Sequence, residues 1–302
     1  MRETWADMTK RIIADVEAIA PIEPGSRFDQ MRRMFIKDDG SLQDPFPPGH
    51  PDLPIAREAM RDIIQLNFIH EQLALEDAYS DFNRRFKVML KDDCLPQECG
   101  PDTPGRDTQC EMYVEAMCEK AGLSPVFKNR PDIICEFAGE KLAIEVKRLK
   151  SFGKLHDRIC KAAEQIQAGG VPGFIAMDFS VAFNVENVAI PPIPDAKMWE
   201  AFHLRDRWFL DQHLDRLIEW TSGARVLGLI MIDHHLRQDP ADGWQPLTRT
   251  VFVGLVRYNA RHAEKSLAFW TQFRTGMATP AENPIDGGVI WDPRFGAIRP
   301  FR

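Results

Sequence analysis

This sequence predicts an α/β protein with a mixed central sheet and an α-helical N-terminal region, and three observations carry that expectation. Between residues 131 and 149, two runs rich in Ile, Val, Phe and Leu flank Gly139-Glu140, the pattern of a β-hairpin closed by a two-residue turn. Around it, residues 107–180 alternate in the order helix, strand, strand, helix, strand. Ahead of it, residues 4–91 carry apolar side chains at three-and-four spacing, interrupted by a proline-rich stretch.

In chain order, Trp5, Met8, Ile12, Ile13, Val16 and Ile19 predict an amphipathic helix over 4–20, ending near Pro21. Residues from about 21 to 54, densest in Pro45-Phe46-Pro47-Pro48-Gly49-His50-Pro51, read as an extended loop. Met60, Ile63, Ile64, Phe68, Ile69, Leu75, Phe82, Phe86 and Leu90 then predict one or two core-facing helices over 55–91. His70 reads as a surface or helix-facing residue. Residues 92–106 have a linker's composition, so the domain boundary is expected there, between a helical region (1–100) and an α/β domain (107–302). The α/β domain opens with a helix capped by Asp107 or Thr108 and stopped at Gly122, since glycine tolerates the left-handed conformation. After the hairpin, Leu155, Ile159, Ala162, Ala163 and Ile166 predict a helix over 154–168, and 174–179 a buried strand, completing a core over 107–180. The sheet is expected to extend through 197–302, with a helix at 197–221 and strands at 225–233 and 249–258.

The hairpin concentrates the chemistry. With Gly139-Glu140 as the turn, Ala138 faces Lys141, Ile134 faces Glu145 and Asp132 faces Lys147. Because strand side chains alternate, Asp132, Glu145 and Lys147 then share one face. A three-residue loop would send Asp132 to the other. Two carboxylates and an amine on an otherwise apolar hairpin need partners, and a divalent cation is one. A plain cross-strand ion pair is the bland alternative.

Pro131-Asp132, a hairpin turn and Glu145-Val146-Lys147 resemble the signature of the PD-(D/E)xK nuclease superfamily, and the element order resembles its restriction-endonuclease-like core. A second copy of the tripeptide pattern, Asp195-Ala196-Lys197, follows Pro191-Pro192-Ile193-Pro194, where no ladder strand forms. The resemblance implies a metal-dependent phosphodiesterase hydrolysing DNA, an endonuclease of restriction or phage-defence type. RNA-cleaving or exonucleolytic action, or a non-catalytic role binding nucleic acid or protein, are the alternatives. In the implied site Asp132, Glu145 and the Val146 carbonyl hold Mg²⁺ or Mn²⁺, and Lys147 orients the attacking water. Glu111, on the helix before the hairpin, looks like the helix-borne glutamate of Mrr-like members and completes the metal shell, with Glu115 as the fallback. Arg148, Lys150, Lys154, Arg158, Lys161 and Gln165 contact nucleic acid. A rival resemblance is Asp233-His234-His235, similar to the metal-binding triplet of DHH phosphoesterases, although the Asp-x-Asp strand those enzymes need upstream is missing.

Composition sets the remaining bounds. The 302 residues are 44% hydrophobic with no long uncharged apolar window, and Met1–Asp7 has no apolar signal core, so a cytoplasmic protein with no membrane contact is expected. Six cysteines without paired C-x-x-C spacing fit reduced thiols better than a disulfide frame or a zinc site. The net charge of −7 disfavours nucleic acid at first sight. However, the acidity is mostly N-terminal, and the stretch Lys147–Lys161 is locally basic, with Asp157 its one acid. A homodimer is expected because two strands need two sites, with the N-terminal region as dimerisation or regulatory surface.

Overall fold

The computed structural model describes residues 5–37, 41, 46–47, 49–74, 79–96, 99, 103–128, 130–239, 243–255, 260–276 and 289–290. Pro45, Pro48, Leu75, Asn129 and the end of the 249–258 run lie outside them, as does most of 277–302. The chain divides into two compact units, Met1–Ala116 with Asn184–Val188, and Met117–Phe183 with Ala189–Arg302. The division falls within a helix rather than at the 92–106 stretch.

The first unit is helical: α1 (Trp5–Ile19), α2 (Arg27–Phe35), α3 (Leu53–Leu73), α4 (Tyr79–Met89) and the start of α5 (Pro104–Lys120). Ile12, Val16, Ile63, Ile69 and Phe86 are buried, on the stripes that the three-and-four spacing predicts, and Phe28 and Met31 of α2 are buried too. Helix α2 corrects the expectation of an extended loop over 21–54. The Ser26 hydroxyl accepts the Asp29 N–H at 3.2 Å, and the Asp29 carboxylate accepts the Gly25 N–H at 2.8 Å. This local cap outweighs the surrounding prolines. Helix α5 starts at Pro104, three residues before the expected cap, because proline suits the first helical position. Buried charges in this unit are paired, as burial requires: Arg27 with Asp62 at 2.5 Å, and Arg61 and Arg106 with Glu58 at 2.7 and 2.8 Å.

The second unit is built on a seven-stranded mixed sheet in sequence order: β1 (Val126–Phe127), β2 (Ile133–Phe137), β3 (Glu140–Arg148), β4 (Gly173–Asp178), β5 (Val226–Asp239), β6 (Gly243–Gly254) and β7 (Val289–Ile290). The first three strands form an antiparallel meander, β3, β4 and β5 run parallel, β6 is antiparallel to β5, and β7 is parallel to β6. Gly122, at φ 68°, ends α5 as expected: its N–H and that of Leu123 bond back to the Glu119 and Cys118 carbonyls at 2.9 and 3.0 Å. Parallel β3 and β4 need a crossover, supplied by α6 (Leu155–Gly169). Past β4 come the short α7 (Ser180–Phe183), then α8 (Asp195–Trp220) and, after β6, α9 (Ala260–Phe273).

Helices α6 and α8 cover one sheet face, where Ile159, Ala162, Ile166, Phe209 and Leu217 join Ala143, Leu149, Ile175, Met177, Leu229 and Val251 in one buried cluster. On the other face α9 stacks Phe269 on Phe174, ring centroids 4.4 Å apart, and Trp270 on Phe252 at 5.7 Å. Helix α9 was not among the expected elements. Strands β5 and β6 both reach beyond the expected 225–233 and 249–258, pairing as a long ribbon from Gly228↔Gly254 to Asp239↔Gly243. Among the described residues no helix is long and apolar enough to cross a membrane, and none of the six cysteines forms a disulfide.

Candidate active site at the hairpin

The hairpin forms, but its turn lies one residue earlier than expected. Phe137 pairs with Glu140, so Ala138-Gly139 is the two-residue loop, with φ of 50° and 75°. Both central residues at positive φ make the mirror-image turn that matches the right-handed strand twist, and it places glycine second, where its freedom is needed. Ile134 therefore faces Ala143 rather than Glu145; the ladder ends at Ile133↔Ile144, and its register carried one residue further sets Asp132 across from Glu145 rather than Lys147. The slip moves each pairing by two positions. Since the side-chain period is also two, Asp132, Glu145 and Lys147 stay on one face.

Beyond Ile133 the Asp132 side chain takes the place of main-chain pairing: its Oδ2 accepts the Val146 N–H at 2.8 Å. The Asp132 N–H in turn donates to Glu145 Oε2 at 3.2 Å, and the Asp132 carbonyl accepts the Lys128 N–H at 2.7 Å. Two of these three hydrogen bonds engage the carboxylates and hold Asp132 against the Glu145–Val146 segment. Ala143 and Leu149, two residues to either side of the Glu145–Lys147 pair on the same face, pack under α6. Gly169, at the end of α6, lies so close to Pro131 that a Cβ there would sit 2.6 Å from the ring. Glu145 is fully buried and Asp132 7% exposed, while 11% of the Lys147 side chain reaches solvent.

Lys147 Nζ is the centre of the arrangement. It donates to Glu145 Oε1 and, at 3.0 Å, to the Val146 carbonyl, and it lies 3.8 Å from Asp132 Oδ2. Burial, reinforced by the neighbouring Asp132 carboxylate and opposed by Lys147, pushes the Glu145 carboxyl up to about 7. Two carboxylates and a carbonyl, all hard oxygen donors, converge on one cationic point. Such a donor set suits Mg²⁺ or Mn²⁺. Among the described residues no group of three or more His, Cys, Asp or Glu side chains is placed to hold one ion, so the third donor of this set is main chain.

No protein-family model, curated protein or solved structure matches the chain. What the site can do therefore rests on its own chemistry. Glu111 is half-buried on α5 in the first unit, whereas the convergent set lies wholly in the second. Glu115 is buried and bonded to Arg85 at 2.5 Å. Lys154, which precedes α6, and Lys161 are exposed and Arg158 and Gln165 half-buried, forming a stripe beside the buried one; Lys154 lies 3.5 Å from Asp157. The Gln165 side-chain oxygen is buried and accepts no hydrogen bond among the described residues. Lys150 is half-buried. Arg148 corrects the expectation of a phosphate contact. Strand alternation turns it to the sheet face opposite Lys147, where it is 8% exposed and lies 3.6 Å from Asp178.

The histidine triplet is also corrected. Asp233, His234 and His235 sit within β5, all buried. Alternation sends His234 to the opposite face from the other two, where its Nδ1 lies 3.0 Å from Thr248 Oγ1. Asp233 is taken up by Arg205 at 2.5 Å and by His235 at 2.6 Å. Burial would raise its carboxyl, but Arg205 and the hydrogen bond with His235 outweigh it and hold it well below the usual range. Three such groups cannot ligate one ion. Beside them Arg249 grips Asp206 with both terminal nitrogens, one at 2.9 Å. No local spacing in the sequence announces that buried network, which joins α8 to β5 and β6. Asp195 of the second tripeptide copy pairs with Arg237 at 2.6 Å at the start of α8.

Proposed function

We propose that the protein is a divalent-metal-dependent phosphodiesterase that cuts DNA as an endonuclease, built on a PD-(D/E)xK, restriction-endonuclease-like core. One observation carries the reading: Asp132 Oδ2, Glu145 Oε1 and the Val146 carbonyl converge on a single cationic centre. The meander β1–β2–β3 followed by a helical crossover to a parallel β4 supports the same assignment. Asp132, Glu145 and the Val146 carbonyl would hold Mg²⁺ or Mn²⁺, whose chemistry when bound is to draw charge from a non-bridging phosphate oxygen and to acidify water. Lys147 supplies a donor that orients the attacking water and offsets charge at the phosphate. Lys154, just before α6, and Arg158 and Lys161 on it seat the phosphate backbone, a contact that positions without reading sequence.

Incubating the purified protein with supercoiled plasmid, linear duplex, single strand and RNA, in Mg²⁺, Mn²⁺ or EDTA, tests this. Nicking or linearisation of plasmid that EDTA abolishes is expected. Lys147→Ala should slow it by about 10²–10³-fold, the usual loss for one preorganised charge donor, and Asp132→Asn should abolish it. Cutting that survives both substitutions would mean the hairpin is not the site. Cleavage confined to RNA or to duplex ends would reassign substrate or mode.

A further inference from the structure

We propose that Lys147 is a built-in counter-cation for the hairpin carboxylates, so that a divalent ion enters only by driving the lysine ammonium out of their cradle. This rests on the reading of Asp132, Glu145 and Val146 as the ion's donors. The lysine does not point past the carboxylates into solvent. Its Nζ bonds Glu145 Oε1 and the Val146 carbonyl and faces Asp132 Oδ2, the same three atoms that would ligate the ion. Being two residues beyond Glu145 on one strand face, it is in place to fold back onto that carboxylate. Two cations cannot occupy one point, and at van der Waals separation their repulsion in a buried setting is severe.

Charge balance argues the same way. With the ammonium in place and both carboxylates ionised, the cradle stands at −1. A divalent ion with the lysine expelled brings it to neutrality, whereas an ion added beside the retained lysine leaves an uncompensated positive charge under α6. The exchange also has a use. The displaced ammonium, on a side chain already 11% exposed, becomes available to the water and phosphate it serves in the proposed reaction. Metal arrival and deployment of the lysine are then one event.

Mn²⁺ binding, measured by calorimetry and by the loss of the free-ion paramagnetic resonance signal, tests the exchange on the full-length protein. Relieved of hydrogen bonds between charged groups that must break, Lys147→Met should bind Mn²⁺ about tenfold more tightly than the unaltered protein. The unaltered protein provides a second measurement that needs no variant. Under an amine-reactive label, quantified by peptide mass spectrometry, Lys147 should react slowly in EDTA and faster in saturating Mn²⁺, with exposed Lys154 and Lys161 as internal references. Equal or weaker Mn²⁺ binding by Lys147→Met, or labelling of Lys147 that Mn²⁺ leaves unchanged or slows, overturns the exchange but leaves the site itself standing. If Asp132→Asn binds Mn²⁺ as well as the unaltered protein, the assignment of the donors falls, and the exchange with it.

Discussion

Glu145→Gln in the metal-free protein isolates the cost of the buried carboxylate. Glu145 is fully buried, opposite Asp132, with its carboxyl lifted from an ordinary 4.5 to about 7. Below pH 4.5 it is protonated in both folded and unfolded chains and contributes no pH dependence. Between 4.5 and 7 the unfolded chain releases the proton while the folded one keeps it, so folding stability falls as pH rises, and it levels off above 7. The accumulated loss by pH 8 is about 3 kcal/mol. With a urea slope of about 3 kcal/mol per molar for a chain of this size, the midpoint should fall by about 1 M across that interval. Urea unfolding in EDTA at pH 5 and pH 8, followed by circular dichroism, measures it in both proteins. Glu145→Gln removes the titrating group, so its midpoint should fall by correspondingly less. Parallel pH profiles for the two proteins would refute the reasoning, because they would mean that Glu145 titrates alike folded and unfolded.

Three further outcomes follow from the fold. Ala138→Asn should raise stability by up to about 1 kcal/mol in the same urea assay, since alanine at φ 50° bears a steric penalty that asparagine tolerates better. Arg249→Ala leaves Asp206, 1% exposed, without its bidentate partner and should cost about 3–5 kcal/mol, read as a lowered thermal midpoint. Gly173→Val should destabilise by at least about 1–3 kcal/mol, because any Cβ there meets the Ala143 carbonyl across the β3–β4 ladder and backbone cannot yield.

Most elements of the second unit were legible because their signals are local. Runs of Ile, Val, Phe and Leu marked β2 and β3, Gly122 closed α5, and apolar spacing set the face of α6. Helix α2 was missed because three prolines and a glycine nearby, Pro21, Pro24, Gly25 and Pro47, outweighed a short capping signal at Ser26. The buried pairing of Arg249 with Asp206 was not legible at all, since the partners stand 43 residues apart and meet only when α8 lies on the sheet.

The hairpin divides the two kinds of information most clearly. That Asp132, Glu145 and Lys147 share a face was determined by residue identity alone, because parity along a strand survives a two-position slip of register. Which residue stands opposite which, and that the lysine amine lies among the carboxylate oxygens, was decided by tertiary structure. The turn chose Ala138-Gly139 for its backbone twist, the ladder ended at Ile133 with the Asp132 side chain taking the Val146 N–H, and the packing of α6 withdrew the solvent that would otherwise have let the three charges drift apart.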